Sequence, residues 1–241
     1  MMKRKAPIAT LFRLLPSLAV VLTVLAFQSV RAESIVNETF DSEVAPAKWT
    51  IFPKGTVSAA EGVLTITASG SDTGYAVSSL AGTKPIEALN FTKNTVEIKL
   101  TNIALKGDAS PERQVFHVML LSDSKGDDAT AKVHVRLSGD GDLILTIKDK
   151  NSPAPQVLYN TRVVLPVKSL TLKLTKTHAT FLVEDDKAAP AKELPITGSL
   201  AAWETAAPYF RLQAQRNPGG GSLQVTLQGV SIDSTPAAES K

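Results

Sequence analysis

Arg211, Gln213 and Gln215 stand at alternate positions of Tyr209-Phe-Arg-Leu-Gln-Ala-Gln-Arg-Asn217, interleaved with Phe210, Leu212 and Ala214. Period two is the spacing of a strand. One face therefore takes the apolar set, and the other presents a phenol, a guanidinium and two carboxamides. These planar groups hydrogen-bond directionally and suit a sugar hydroxyl or a carboxylate, whereas a solvated strand face collects Thr, Ser, Lys and Glu. Two other segments share the alternation. In Arg113-Gln-Val-Phe-His-Val-Met-Leu-Leu121, Phe116, Val118 and Leu120 read as core, with Arg113, Val115, His117 and Met119 opposite. In Lys132-Val-His-Val-Arg-Leu137, Val133, Val135 and Leu137 turn inward, and Lys132, His134 and Arg136 form a basic stripe. If the hairpin between these segments turns around Lys125-Gly126, His117 and His134 stand directly opposite each other, close enough to share a metal ion or a carboxylate. The alternative is two partly buried histidines with no ligand.

The elements that must position these residues begin after a removable segment. Lys3, Arg4 and Lys5 open the chain, Leu14 to Phe27 is mostly apolar, and Val30-Arg-Ala32 offers small residues at the spacing of a signal-peptidase site. The expectation is a signal peptide over 1–32, a mature start near Glu33, and a secreted or periplasmic protein without a membrane span. The apolar run falls short of the roughly 20 residues a spanning helix needs, and Pro16 interrupts its start. Removing 1–32 takes Lys3, Arg4, Lys5, Arg13 and Arg31 and no acid, so the net charge of +3 becomes −2. A nucleic-acid partner read from global charge loses its support. The chain has no cysteine, which excludes disulfide staples, thiolate zinc sites and thiol nucleophiles.

From Ser34 to Asp233 strand follows strand. Candidates are Gly62 to Ser69, Thr95 to Asn102, Gln114 to Ser122, Ala131 to Ser138, Asp142 to Lys148, Val157 to Tyr159, Ser169 to Thr175, Ala179 to Glu184, Pro208 to Gln215 and Ser222 to Ile232. Turn chemistry separates them at 123–128, 138–141, 151–155 and 217–221. Short helical turns fit near Pro85 to Leu89 and Leu200 to Thr205, and no sustained helical period occurs. The fold class predicted is all-β, a jelly-roll sandwich of two antiparallel sheets forming one domain over 33–233. Residues 234–241 read as a disordered tail.

Several residues carry a resemblance. Asn37-Glu-Thr-Phe-Asp-Ser42, Trp49, Gly62-Val-Leu-Thr-Ile66 and the closing Leu227-Gln-Gly-Val-Ser-Ile232 resemble the ends of concanavalin A-like jelly rolls. Within them, Tyr209-Phe-Arg211 is similar to the start of the Y-F-K-A-G-x-Y-x-Q strand of alginate-lyase-type polysaccharide lyases. Leu172 to Val183 and Trp203 stand where those enzymes carry a strand pair and a tryptophan. The resemblance implies β-elimination on a uronate polymer, but the positions that would perform it differ. The motif's proton-transferring tyrosine falls on Gln215. The Q-I-H motif falls on His117-Val-Met119, with Met119 at the catalytic histidine. The R-x-E-x-R motif falls on Val77-Ser-Ser79-Leu-Ala81. The E-x-D-x-x-E motif of laminarinases is absent.

The reading that follows is a monomeric carbohydrate-binding module that recognises an acidic polysaccharide on its concave sheet. Its contacts are Arg113, His117, His134, Arg136, Tyr209, Arg211, Gln213 and Gln215, with no cofactor, no resident metal and no assigned catalytic residue. One alternative is a lyase with a rearranged site, in which His117 or His134 takes the proton and Arg136 or Arg211 screens the carboxylate. Another is a cell-envelope structural or interaction module with no sugar ligand. Trp49 and Trp203 read as packing rather than stacking platforms. Asp127-Asp128 and Asp140-Gly-Asp142 read as turn residues, with loop calcium the alternative. Asn37-Glu-Thr39 and Asn90-Phe-Thr92 fit the glycosylation pattern.

Overall fold

The computed structural model describes residues 32–44, 48–52, 55–70, 75–124, 129–185 and 191–237. The expected signal peptide up to residue 31 and Asp127-Asp128 lie outside them. Among the described residues sixteen strands follow one another: β1 (Glu33–Glu38), β2 (Trp49–Phe52), β3 (Gly55–Ala60), β4 (Val63–Ser69), β5 (Ala76–Gly82), β6 (Asn94–Lys106), β7 (Gln114–Leu121), β8 (Ala131–Ser138), β9 (Asp142–Asp149), β10 (Gln156–Arg162), β11 (Val167–Leu174), β12 (His178–Glu184), β13 (Lys192–Pro195), β14 (Tyr209–Arg216), β15 (Ser222–Leu227) and β16 (Gly229–Pro236). A single-turn helix, α1 (Ala201–Glu204), and 3-10 turns at Glu87–Leu89 and Pro111–Arg113 complete the set. Among the described residues no helix is long and apolar enough to cross a membrane.

The strands form two antiparallel sheets. One has seven strands in the order β10-β9-β8-β7-β14-β5-β2. The other has nine, in the order β13-β12-β11-β6-β15-β4-β3, with β16 also on β6 and β1 on β16. The predicted alternation sets the shared core: Phe116, Val118, Val133, Val135, Phe210 and Leu212 lie in one apolar cluster with Ile98, Leu100, Leu172, Phe181, Val225 and Ile232 of the facing sheet. A one-residue slip in any of these strands would turn its whole apolar set outward, so burial pins the register. Both tryptophans are packing residues. Trp203 is fully buried 4.8 Å from Phe91, and Trp49 meets Phe210 edge-on at 6.2 Å.

The closing segment differs from the single strand expected over Ser222 to Ile232. It is two strands, because the long β6 changes partner along its length. β16 pairs with its first part and β15 with Ala104 to Lys106. At the junction Asn102 takes a left-handed φ of 51°, its amide bonds the Gln228 side chain, and Gln228 N donates to Thr101 O at 3.0 Å. The tail is corrected too. Ser234, Thr235 and Pro236 continue β16 against Val96, Thr95 and Asn94, and Ser234 is buried, its hydroxyl donating to Ala88 O at 2.7 Å.

Loop chemistry fixes the ends of the site-bearing strands. Gly141, at φ 92°, turns β8 into β9, and any Cβ there would stand 2.3 Å from Val163 O. Asn90 is buried and donates from its amide to Trp203 O at 2.6 Å and Ala206 O at 3.0 Å, tying α1 to the sheet. That bonding closes the second glycosylation pattern to modification in the folded protein, whereas Asn37 is exposed on β1.

Candidate functional site on the seven-stranded sheet

β14 runs between β5 and β7, with β8 beyond β7, and the registers align their outward side chains in rows. One row is Ser79, Gln213, His117, Arg136; the next is Ala81, Arg211, Met119, His134. The strands on which the lyase-type motifs fall are therefore neighbours, and their outward positions share one face. The strand sequences supply no Asp or Glu on β5, β14, β7 or β8.

The two histidines meet, but not as directly opposed partners. His117 pairs with Arg136, and His134 with Met119, a register two residues away from the one a turn at Lys125-Gly126 would give. The shift is even, so both rings stay on the same face and become diagonal neighbours. His117 Nδ1 and His134 Nε2 lie 2.7 Å apart, with the rings stacked at 4.9 Å and 20°. His117 is only 7% exposed, and its Nε2 has no hydrogen-bond partner among the described residues. Burial, then the charges of His134, Arg136 and Lys132, push its pKa down to about 3, so it stays neutral near pH 7.

The carboxamides of β14 are largely committed to one another. Ser79 Oγ donates to Gln213 Oε1 at 3.2 Å, Gln213 Nε2 to Gln215 Oε1 at 3.3 Å, and Gln215 Nε2 to Asn217 Oδ1 at 2.9 Å. Gln213 is 2% exposed and belongs to the floor; Gln215 is half-buried. Ser79 and Asn217 complete this chain of bonds, and neither is among the contacts expected from the sequence. Their small polar side chains carry no distinguishing signal until the register is known.

Arg113 is a correction. It ends a 3-10 turn rather than extending β7, because Pro111 starts a turn there, and its Nη1 donates to Gly219 O at 3.0 Å. The backbone adds Asn217 N to Arg113 O at 2.8 Å, so this arginine latches the loop after β14. Val115 and Met119 do face outward, but both are buried. Met119 and Leu121 pack with Ala129 from the loop after β7, and Tyr209 lies against them, so that end of the face has its own small apolar cluster. What remains half-buried and reachable is His134, Arg136, Tyr209, Arg211 and Gln215. Beside Tyr209 opens a cavity of about 640 Å³ that Ser122, Asp123, Thr130, Lys150 and Asn151 also line. A separate apolar pocket of about 200 Å³, near Ile35, Trp49 and Phe210, lies away from the histidines.

Chemically, the face offers cations, amides and one coupled imidazole pair. Glycoside hydrolysis by paired carboxylates needs an acid and a second carboxylate across the scissile bond, and the four central strands bear neither. Gln215 opposes Val115 and Val77, so no titratable phenol stands at that position. Asp140 and Asp142 face Arg162, whose nitrogens are 3.7 and 4.0 Å from their carboxylates, and Asp140 also accepts from Ser138. The Ser138 hydroxyl is the largest cause holding the Asp140 pKa below the ordinary carboxylate range. A guanidinium thus supplies the counter-charge considered for calcium. Among the described residues no three His, Cys, Asp or Glu are grouped to hold a metal ion.

Solved structures share this architecture. An endo-1,3-β-glucanase from Streptomyces sioyaensis superposes with a TM-score of 0.59 at 13% identity, over 86% of this chain and 97% of that one. A family 7 alginate lyase in complex with product gives 0.51 at 17% identity, over 72% and 80%. The chain has a concanavalin A-like jelly-roll fold. A CBM2 module of the Lactobacillus casei phage J-1 evolved Dit gives a TM-score of 0.55 at 12% identity, over 87% and 98%, so the same jelly roll carries enzymes and a module named for binding. No family model matches the sequence, and no curated protein does. Identities this low establish the fold alone.

Proposed function

We propose that this jelly roll binds an acidic polysaccharide, such as a uronate polymer, across the outer face of the seven-stranded sheet and does not cleave it. The observation that carries the reading is the arrangement of Arg136 and Arg211, on strands separated by β7, either side of the histidine pair on a face whose central strands bear no carboxylate. Charge-assisted hydrogen bonds from guanidinium to carboxylate supply both attraction and orientation, and salt screens the attraction. The glucanase, lyase and CBM2 neighbours support a saccharide as the ligand class. Low aromatic content, 5%, argues against a stacked-aromatic platform for neutral glycans. The expected site of action is outside the cytoplasm, with a mature start near Glu33, where β1 begins. N-terminal sequencing of the exported protein that finds Met1 or Met2 would refute that part.

The test is titration with alginate, pectate and a neutral glucan at two salt concentrations, for the wild type and the combined Arg136→Ala, Arg211→Ala variant. Uronate polymers bind, salt weakens them, and the variant loses them. Equal affinity for the neutral glucan, or an unchanged variant, removes the reading. One observation favours a second reading: the 2.7 Å imidazole contact is a geometry for proton transfer, as a rearranged lyase would require. Steady growth of unsaturated-product absorbance would establish it.

A further inference from the structure

We infer that His117 and His134 form a one-proton relay that adds a charge to this face and fixes the tautomer of its floor, so that an anionic saccharide is held more tightly when the pair is protonated. The inference rests on the reading of this face as a polyanion site and adds its regulation.

A 2.7 Å separation between His117 Nδ1 and His134 Nε2 requires a hydrogen between them, which only one ring can supply at a time. The stacked rings, 4.9 Å apart, disfavour two charges. The groups facing the pair deepen that preference. β8 presents Lys132 and Arg136, β14 presents Arg211 and the neutral Gln213, β9 places Thr146 and Ile144 opposite, and β7 itself adds Val115 and Met119. None of these strand residues is a carboxylate. His117 is the buried member, and burial together with these cations keeps it neutral. The proton that the pair acquires therefore charges half-buried His134 rather than His117.

The consequence travels through the contact. With both nitrogens of His134 protonated, its Nε2–H must donate to His117 Nδ1, and the hydrogen of neutral His117 is then forced onto Nε2. In the neutral pair the shared hydrogen can belong to either ring. When His117 holds it, Nε2 is a bare acceptor. A proton taken from solvent at His134 thus makes the buried Nε2 of His117 an obligate donor and adds one positive charge beside Arg136 and Arg211. This nitrogen is enclosed and has no partner among the described residues, so the ligand meets the added charge at half-buried His134, and the change of tautomer at His117 reports it. By linkage, a bound polyanion must also raise the proton affinity of the pair.

The experiment titrates the purified protein with a pectate oligomer at about pH 5 and about pH 8, within the range where imidazole changes charge. Nitrogen-15 spectra of the His117 ring are recorded without ligand over the same range. Wild type should bind about tenfold tighter at the lower pH, the equivalent of one unit of pKa change on binding. In His134→Gln the ratio of the two affinities should collapse towards one. In the free wild type, His117 Nε2 should shift to a protonated-type signal as His134 titrates. A ratio that survives in His134→Gln overturns the relay, as does an unprotonated His117 Nε2 while His134 is charged. No uronate binding at either pH, with the nitrogen response present, refutes the saccharide reading while supporting the relay.

Discussion

The two outer faces of this sandwich are built from different chemistry. On the nine-stranded sheet, β6 and β11 place Glu97 opposite Lys173 and Lys99 opposite Thr171, and β16 sets Ser231 and Asp233 beside Lys99 and Glu97. Both signs occur and hydroxyl side chains intervene, as on a surface that needs only to stay wet. The strands of the seven-stranded sheet supply two acids, Asp142 and Asp149, both on β9. Asp149 is buried and accepts from Ala202 N at 2.8 Å and Asn151 N at 2.9 Å. The seven-stranded sheet also buries a histidine and a glutamine on its outer face. Polar groups at that depth cost free energy unless bonded, which marks the face as built for something other than solubility.

The largest expected effect breaks both faces at once. Phe210→Ala opens the shared core and should cost about 3–5 kcal/mol in a denaturant titration. A loss under about 1 kcal/mol would mean that β14 presents its other side to the core.

The second prediction concerns pH and only the seven-stranded face. Unfolded His117 takes a proton near its ordinary value of 6.5, while the folded residue resists until about 3. Between those values the unfolded state binds more protons, so stability is fully present above pH 6.5 and declines as pH falls, by at most about 1.4 kcal/mol per unit from this residue. Urea midpoints over a pH series should fall less steeply for His117→Gln than for wild type. Parallel slopes would show that His117 is not held neutral.

A smaller effect sharpens the contrast in binding. Combined Arg136→Ala and Arg211→Ala should weaken uronate affinity by at least about tenfold, roughly 1.4 kcal/mol. The matched pair Lys99→Ala and Lys173→Ala on the other sheet should leave affinity unchanged. If both pairs weaken binding alike, the attraction comes from overall charge and not from one face. The smallest expected change is in folding: Thr171→Ala should move stability by no more than about 0.5 kcal/mol.

What was legible in the sequence follows the same division. β7, β8 and β14 could be read to within a residue because strict alternation coincided with contrasting chemistry. β2 and β13 are four-residue strands at the sheet edges, too short for a period to show, and β5, Ala76-Val-Ser-Ser-Leu-Ala-Gly82, is nearly buried on both sides, which erases alternation. The division at Gln228-Gly229 carries no turn signal beyond one glycine; it is imposed by β6. In the site, side-chain direction was legible and pairing was not. The hairpin loop decides which residue faces His117, and a period of two carries no information on that. Arg113 was misplaced because Pro111 starts a turn where alternation alone would extend the strand. That Gln213 and Gln215 bond each other could be seen only once Ser79 and Asn217 were set beside them.

The pairing of β1 with β16 has a consequence for the order in which the molecule can be assembled. Glu33 lies against Ser234, and Glu38 against Val230, so the first of the described strands completes its ladder with the last of them. Residues 39–228 must be made before β1 has a partner. Contacts of such long sequence separation form late, because chain closure has to precede any return from them. Until then β1 waits with a row of unpaired amides, a standing invitation to strangers. Its Glu33, Asn37 and Glu38 make that wait survivable: charge and polarity keep the strand from pairing elsewhere until its own partner arrives.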